Sequence, residues 1–306
     1  MKNRTVMDGE VHHICQKTRG GAVIFYTMAD YLVFFTIVCT LAEKEGVSIL
    51  ALCPMPDHTH QACRVADQRQ MSSFVMQYTH LFALEWNRSR GRKGALFQAR
   101  FGSSAKRSNK EVRTSINYNN NNPVERKICR KAEDYRWNFL KYAKSSSPYS
   151  KPLDEAWASA AMRRALKGVR RCHAEGKWIR YDQLDAWSRK LSGEEKEQLA
   201  DYIICQWNVI DYAQAISFYG DYDAMIRSFH DNTGSEYEIH EDRDPYSDAV
   251  YFECTRLLLR EKQIENIRDI PKLSGIEKSR LYRLIQRRTT ARPKQIYKYL
   301  HWDGTI

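Results

Sequence analysis

Two short segments carry residue types that can do chemistry together. Met55-Pro56-Asp57-His58-Thr59-His60 sets two histidines two positions apart. Tyr118-Asn119-Asn120-Asn121-Asn122-Pro123-Val124 sets a tyrosine four positions before an asparagine. On a β-strand, His58 and His60 project from the same face. Two imidazoles on one face can bind one divalent cation, each through one nitrogen, and leave positions for a phosphate oxygen. On a helix, Tyr118 and Asn122 are neighbours one turn apart. The Asn122 amide oxygen can then act as a third, neutral ligand beside the Tyr118 phenol. A phenol with a pKa of about 10 is a poor nucleophile at neutral pH. Attack on phosphorus therefore needs placement, and a cation to offset the charge that develops on the phosphoryl group. Each piece alone also has a plain reading: a histidine pair in a core, a tyrosine on an amphipathic helix, an asparagine turn.

The elements that must position these residues follow from pattern. Val11 to Thr18 reads as a strand ended by Arg19-Gly20-Gly21. Asp30 caps a helix with Tyr31, Phe34, Phe35, Val38 and Leu41 at 3–4 spacing, and Gly46 ends it. Val47 to Cys53 is a second strand, mostly apolar and so buried. Pro54 and Pro56 form the bend, and Thr59 to Val65 returns as a third strand. Gln68 to Arg90 is a long helix with Phe74, Val75, Tyr78, Phe82 and Trp86 on one side. Leu96 to Ser104 reads as a fourth strand and Asn109 to Asn121 as a helix stopped by Pro123. The order β-α-β-β-α-β predicts an α+β fold with a ferredoxin-like (split βαβ) antiparallel sheet and helices on one face. In that topology the first and third strands are central neighbours, so the histidine strand lies mid-sheet with a further helix near it.

Charge is uneven along the 306 residues. Residues 88–144 hold 16 Lys and Arg against 4 acidic residues, 201–250 hold 2 against 11, and 251–306 hold 13 against 6. Cationic blocks attract polyanions, nucleic acid first among them. Arg88, Arg90, Arg92, Lys93, Arg100, Lys106, Arg107, Lys110 and Arg113 are the candidate DNA contacts of the first block. Nearby aromatics offer stacking, worth about 1–3 kcal/mol per base. The eight cysteines form no C-x-x-C pair, which argues against a structural zinc site. Met1-Lys2-Asn3-Arg4 opens no signal peptide, and the apolar stretch Ala22 to Ala42 is interrupted by Asp30, so a cytoplasmic protein without a membrane span is expected.

Ser145 to Pro152 is the linker candidate, dividing a domain at 1–144 from a mainly α-helical one at 153–306. Helical runs are expected at 154–174, 192–207 and 246–262, and an acidic loop around 231–248. Ile267 to Ile285 reads as a helix, a glycine-containing turn and a helix, the helix-turn-helix pattern. Lys278, Arg280, Arg283 and Arg287 fall on or after its second helix, where they can meet duplex DNA.

Four blocks resemble one family. Met55 to His60 resembles the histidine–hydrophobic–histidine motif of single-tyrosine transposases. Phe97-Gln98-Ala99-Arg100-Phe101 resembles the W-Q-x-R-F/Y strand of the REP-associated tyrosine transposases. Tyr118 to Val124 resembles that group's Y-I-x-x-N-P-V-R/K segment, and Tyr135-Arg136-Trp137-Asn138 its D-Y-x-W-S-S piece. Together they span about residues 11–142. The resemblance implies a bacterial enzyme in which His58, His60 and Asn122 hold Mg2+ or Mn2+ and Tyr118 attacks single-stranded or hairpin DNA. A 5′-phosphotyrosine link and a free 3′-OH would result, later reversed by that or another 3′-OH. Thr59 stands where an aliphatic residue is usual, Phe97 replaces tryptophan, and Asn119 and Asn121 replace residues that are often apolar. The last two lead one to expect a looser helix end. The short members of the family lack the C-terminal extension.

Two other readings share parts of this pattern. One is a non-catalytic nucleic-acid-binding regulator of such repeats, although the central strands lack the paired aromatics with which ferredoxin-like sheets bind RNA. The other is a host-adopted nickase that no longer transposes. Monomer and homodimer both remain open.

Overall fold

The computed structural model describes residues 8–231 and 247–305. Most of the acidic stretch read as a loop at 231–248, and Tyr246 at the start of an expected helix, lie outside them. The chain is α+β, with a four-stranded antiparallel sheet and many helices.

The elements come in the order β1 (Val11–Lys17), α1 (Met28–Glu45), β2 (Ser48–Met55), β3 (His58–Arg64), α2 (Gln68–Arg90), β4 (Gly102–Lys106) and α3 (Asn109–Glu125). The strands lie in the order β2-β3-β1-β4. β3 is thus held on both sides, with Cys15 of β1 and Cys53 of β2 both opposite His60. Alternation along the strands puts His13, His58, His60 and Ala62 on one face and Ile14, Gln61 and Cys63 on the other. α1 and α2 cover the second face. α1 is buried from Asp30 to Ala42. Its N-terminus is closed by a capping box between Thr27 and Asp30, and its C-terminus by Gly46 in the left-handed region at φ 67°.

Three local expectations need correction. Not all helices share one sheet face: α1 and α2 lie on one side, and α3 crosses the side that carries His58 and His60. The fourth strand is Gly102–Lys106 rather than 96–104. Phe97 still bridges Thr18, but Gly102 pairs with Cys15, so the segment between holds two residues more than a regular ladder accepts. Leu96 and Phe97 turn inward instead, with Phe97 tilted against Phe82. Finally, Pro123 does not stop α3, which runs on to Glu125. Proline forfeits one ladder bond, yet packing of this helix on the sheet outweighs that cost for under one further turn. Pro54 likewise lies inside β2, an edge strand, where the missing N–H is tolerated.

Beyond residue 144 come α4 (Ala160–Ala174), α5 (Tyr181–Ser188), α6 (Gly193–Trp207), α7 (Tyr212–Ser217), α8 (Tyr222–Asp231), α9 (Ala249–Arg260), α10 (Gly275–Arg288) and α11 (Pro293–Leu300). α4 begins six residues later than its pattern suggests, behind the cap residue Ser159. The first arm of the expected helix-turn-helix is a short 3-10 segment, Ile267–Lys272, with Pro271 inside it. Buried residues from both sides of 145–152 share one hydrophobic core. α6 packs on α1, α5 on α1 and α2, α7 on β2, and α8 on α3. Among the described residues no helix is long and apolar enough to cross a membrane.

Candidate active site

The β2–β3 hairpin closes with Pro56 and Asp57, where proline presets the backbone angle for a tight turn. That turn is held from outside. Ile24 N and Phe25 N donate to Pro56 O at 2.9 and 3.2 Å, and Thr18 N and Oγ1 donate to Asp57 O at 3.1 and 2.8 Å. His58 therefore leaves a fixed turn at the first position of a central strand.

His58 and His60 are buried, with ring centroids 4.8 Å apart at 88°. α3 brings Tyr118 edge-on to His60 at 5.2 Å, and Asn122 Nδ2 to 3.2 Å from His60 Nε2. The four residues singled out from sequence thus meet on one sheet face, with Asn122 62 positions from His60. Tyr118 is itself only 2% exposed. His13, which sequence reasoning passed over, joins them. Its ring lies 5.3 Å from His60 and 5.4 Å from Tyr118, and its Nε2 is 3.4 Å from His60 Nδ1. Its parity in β1 is the one signal in the sequence, and it becomes useful only once the β1–β3 register is known.

Two imidazoles and an amide oxygen are donors that could hold a divalent cation, while among the described residues no group of three or more His, Cys, Asp and Glu side chains gathers at metal-binding distance. Asn122 Oδ1 is buried without a hydrogen-bond partner, a costly state for an amide oxygen unless a ligand satisfies it. The amide's O and N positions are interchangeable by a flip, which would turn that oxygen toward His60 Nε2. Asp57 Oδ1 lies 2.6 Å from His58 Nδ1, leaving Nε2 as the ligating nitrogen of that ring. Burial alone would raise the Asp57 pKa, but hydrogen bonds and charge from His58 and Lys298 outweigh it and hold the carboxyl below the usual range. Asp248 goes the other way, pushed up to about 6 by burial and the Asp57 charge, with Arg126 offsetting part.

The asparagine run is not loose. All four side chains are buried. Asn119 and Asn120 donate back to Ser115 O and Ile116 O at 2.8 and 2.9 Å, and Asn121 donates to Phe229 O at 2.9 Å. Asn117 donates to Ser228 Oγ and accepts from Tyr219. The expected slack is replaced by a clamp from the α7–α8 region.

Arg88, Arg92, Lys93, Arg100, Lys106, Arg107 and Lys110 line one cleft that runs along edge strand β4 from α2 to the first turns of α3. Met76 and Leu84, 65% and 53% exposed, give it an apolar flank. Arg113 lies outside that lining, is exposed, and donates to Phe218 O at 3.2 Å. Two of the proposed DNA contacts are corrected. Arg90 is fully buried against Trp86 and paired with Asp30 at 2.5 Å. Lys278 is buried, and its ammonium donates to Pro271 O and His301 O. Arg280, Arg283 and Arg287 are exposed on α10.

No protein-family model matches this chain, and no curated protein matches it. Among solved structures it is similar to a REP-associated tyrosine transposase bound to a REP hairpin. The identity is 19% and the TM-score 0.39, over 52% of this chain and 91% of that one. A likeness that loose carries no argument, and the functional assignment rests on the site.

Proposed function

We propose that this protein cleaves and rejoins single-stranded DNA through a covalent link to Tyr118, acting as a transposase on hairpin-forming repeats. The observation that carries the proposal is the meeting of His58, His60 and Asn122 on one sheet face, with Tyr118 against His60. The sheet order, with β1 and β3 central, suits a split βαβ frame for such a site. Mg2+ or Mn2+ held by these three side chains would supply Lewis-acid charge at a phosphate oxygen. The chain's own work is placement. α3 presents the phenol, the Tyr118 oxygen attacks phosphorus, and the 3′-oxygen leaves as a free 3′-OH. The reverse attack by a 3′-OH restores the tyrosine. The cleft along β4 supplies cations for the phosphates of the bound strand, and Arg280, Arg283 and Arg287 on a helix-turn-helix-like unit contact adjacent duplex.

A labelled hairpin with a single-stranded flank, incubated with Mn2+, tests this. Wild type is expected to form an adduct that survives denaturing electrophoresis. Tyr118→Phe and His58→Ala are expected to form none. Equal cleavage by wild type and Tyr118→Phe would sink the proposal. The near-complete burial of Tyr118 favours a second reading, a repeat-binding regulator that does not cut. Metal-independent binding with no adduct from wild type would select it.

A further inference from the structure

The C-terminal helix α11 reaches the turn that carries the candidate metal ligands. It is anchored on the β1–α1 connection: Val23 N donates to Lys298 O at 3.1 Å, Tyr26 OH to Tyr299 O at 2.5 Å, and His301 Nε2 to Val23 O at 2.6 Å. The Lys298 side chain passes directly over Gly21. A Cβ there would lie 2.9 Å from Lys298 Cε, which the flexible end of the lysine can yield, while the backbone at φ +67° favours glycine. The ammonium ends 3.2 Å from Asp57 Oδ2, and the other oxygen of that carboxylate lies 2.6 Å from His58 Nδ1. The contact spans 241 positions in sequence, and the Lys298 and Asp57 side chains are only 23% and 12% exposed.

We infer that Lys298 and Asp57 are positioning residues for His58, which makes the C-terminal helix a working part of the candidate metal site. This rests on the metal reading above. A carboxylate on one imidazole nitrogen keeps the proton there, directs the other nitrogen at a cation, and fixes the plane of the ring. Asp57 is a carboxylate one residue from the ligand it would orient, and a free carboxylate there could itself bind a cation. Lys298 occupies Oδ2, offsets the charge, and holds Oδ1 on His58. A surface ion pair would contribute little. This one is largely withdrawn from water, and a glycine makes room for its stem.

The full-length protein tests the idea in two ways. With 15N-labelled histidine and no metal, His58 is expected as the Nδ1–H tautomer in wild type and Lys298→Arg, and to lose that preference in Asp57→Asn. Mn2+ titration is expected to show affinity reduced about 10- to 100-fold in Asp57→Asn and about tenfold in Lys298→Met, with Lys298→Arg restoring most of it. Circular dichroism melts identify a variant that fails to fold, and Asp57→Asn, which keeps volume and shape, serves if Lys298→Met does. Unchanged Mn2+ affinity in Lys298→Met and Asp57→Asn, with binding lost in His58→Ala, overturns this inference alone. Unchanged affinity in His58→Ala overturns the metal reading and this inference with it.

Discussion

Three buried imidazoles on one sheet face pose a question of protons. His60 is held between His13 on its Nδ1 side and Asn122 on its Nε2 side, at 3.4 and 3.2 Å. If Nε2 is to bind a cation, Nδ1 must carry the proton and donate it to His13 Nε2. His13 Nδ1 then donates onward to Ser115 Oγ, 3.4 Å away. His13 would do for His60 what Asp57 does for His58. His13→Leu is therefore expected to weaken Mn2+ binding about tenfold while leaving the fold intact. Unchanged affinity by titration would remove His13 from the site. At this scale the sequence was partly legible. His58, His60, Tyr118 and Asn122 stand at spacings that strands and helices convert into shared faces. His13 and Lys298 do not, because one needs a register and the other a contact across the whole chain.

At the scale of elements, burial decides what a charged residue is for. Arg90 and Arg88 sit two positions apart at the end of α2, and both read as DNA contacts from the run of basic residues. Helical geometry turns one inward. Arg90 stacks on Trp86, pairs with Asp30, and shares that carboxylate with the Tyr181 hydroxyl at 2.7 Å. Removing one partner of a buried pair strands the other charge, so Arg90→Met is expected to cost about 3–5 kcal/mol in urea unfolding. Arg88→Ala should shift stability by less than about 0.5 kcal/mol. It should instead weaken single-stranded DNA binding and lower the salt slope by about 1. A reversed pattern in the two assays would refute the assignment. The same lesson covers the other misread elements. The long apolar periodicities of α1 and α2 overdetermine those helices. The fourth strand is the short polar run Gly102–Lys106 at a sheet edge, with little pattern to read. The end of α3 reads as loose because partners that fix it, Phe229 O on Asn121 and Ser228 Oγ on Asn117, lie over a hundred positions away.

Across the whole molecule, the second half of the chain folds back over the first, and two titratable groups sit where it does so. His301 ends α11, half-buried beside Val23 O, and its withdrawal from water lowers its pKa from 6.5 to about 4. Asp248 precedes α9 with its backbone N–H bonded to Arg126 O, and its pKa is raised from 3.8 to about 6. The two pull stability in opposite directions. A histidine with a lowered folded pKa contributes stability above pH 6.5 that is lost as pH falls toward 4. A carboxyl with a raised folded pKa contributes stability below its unfolded value that is lost as pH rises through about 6. Moving a pKa by one pH unit corresponds to about 1.4 kcal/mol, so each group contributes at most about 3 to 3.5 kcal/mol. Their windows overlap, so in wild type they largely cancel. Removing one should expose the other. Between pH 7 and 4.5, Asp248→Asn is expected to lose more melting temperature than wild type, because the His301 loss is no longer offset. His301→Gln is expected to lose less. Thermal melts of the three proteins across that range decide the matter, and parallel curves would mean that neither group changes its protonation on folding.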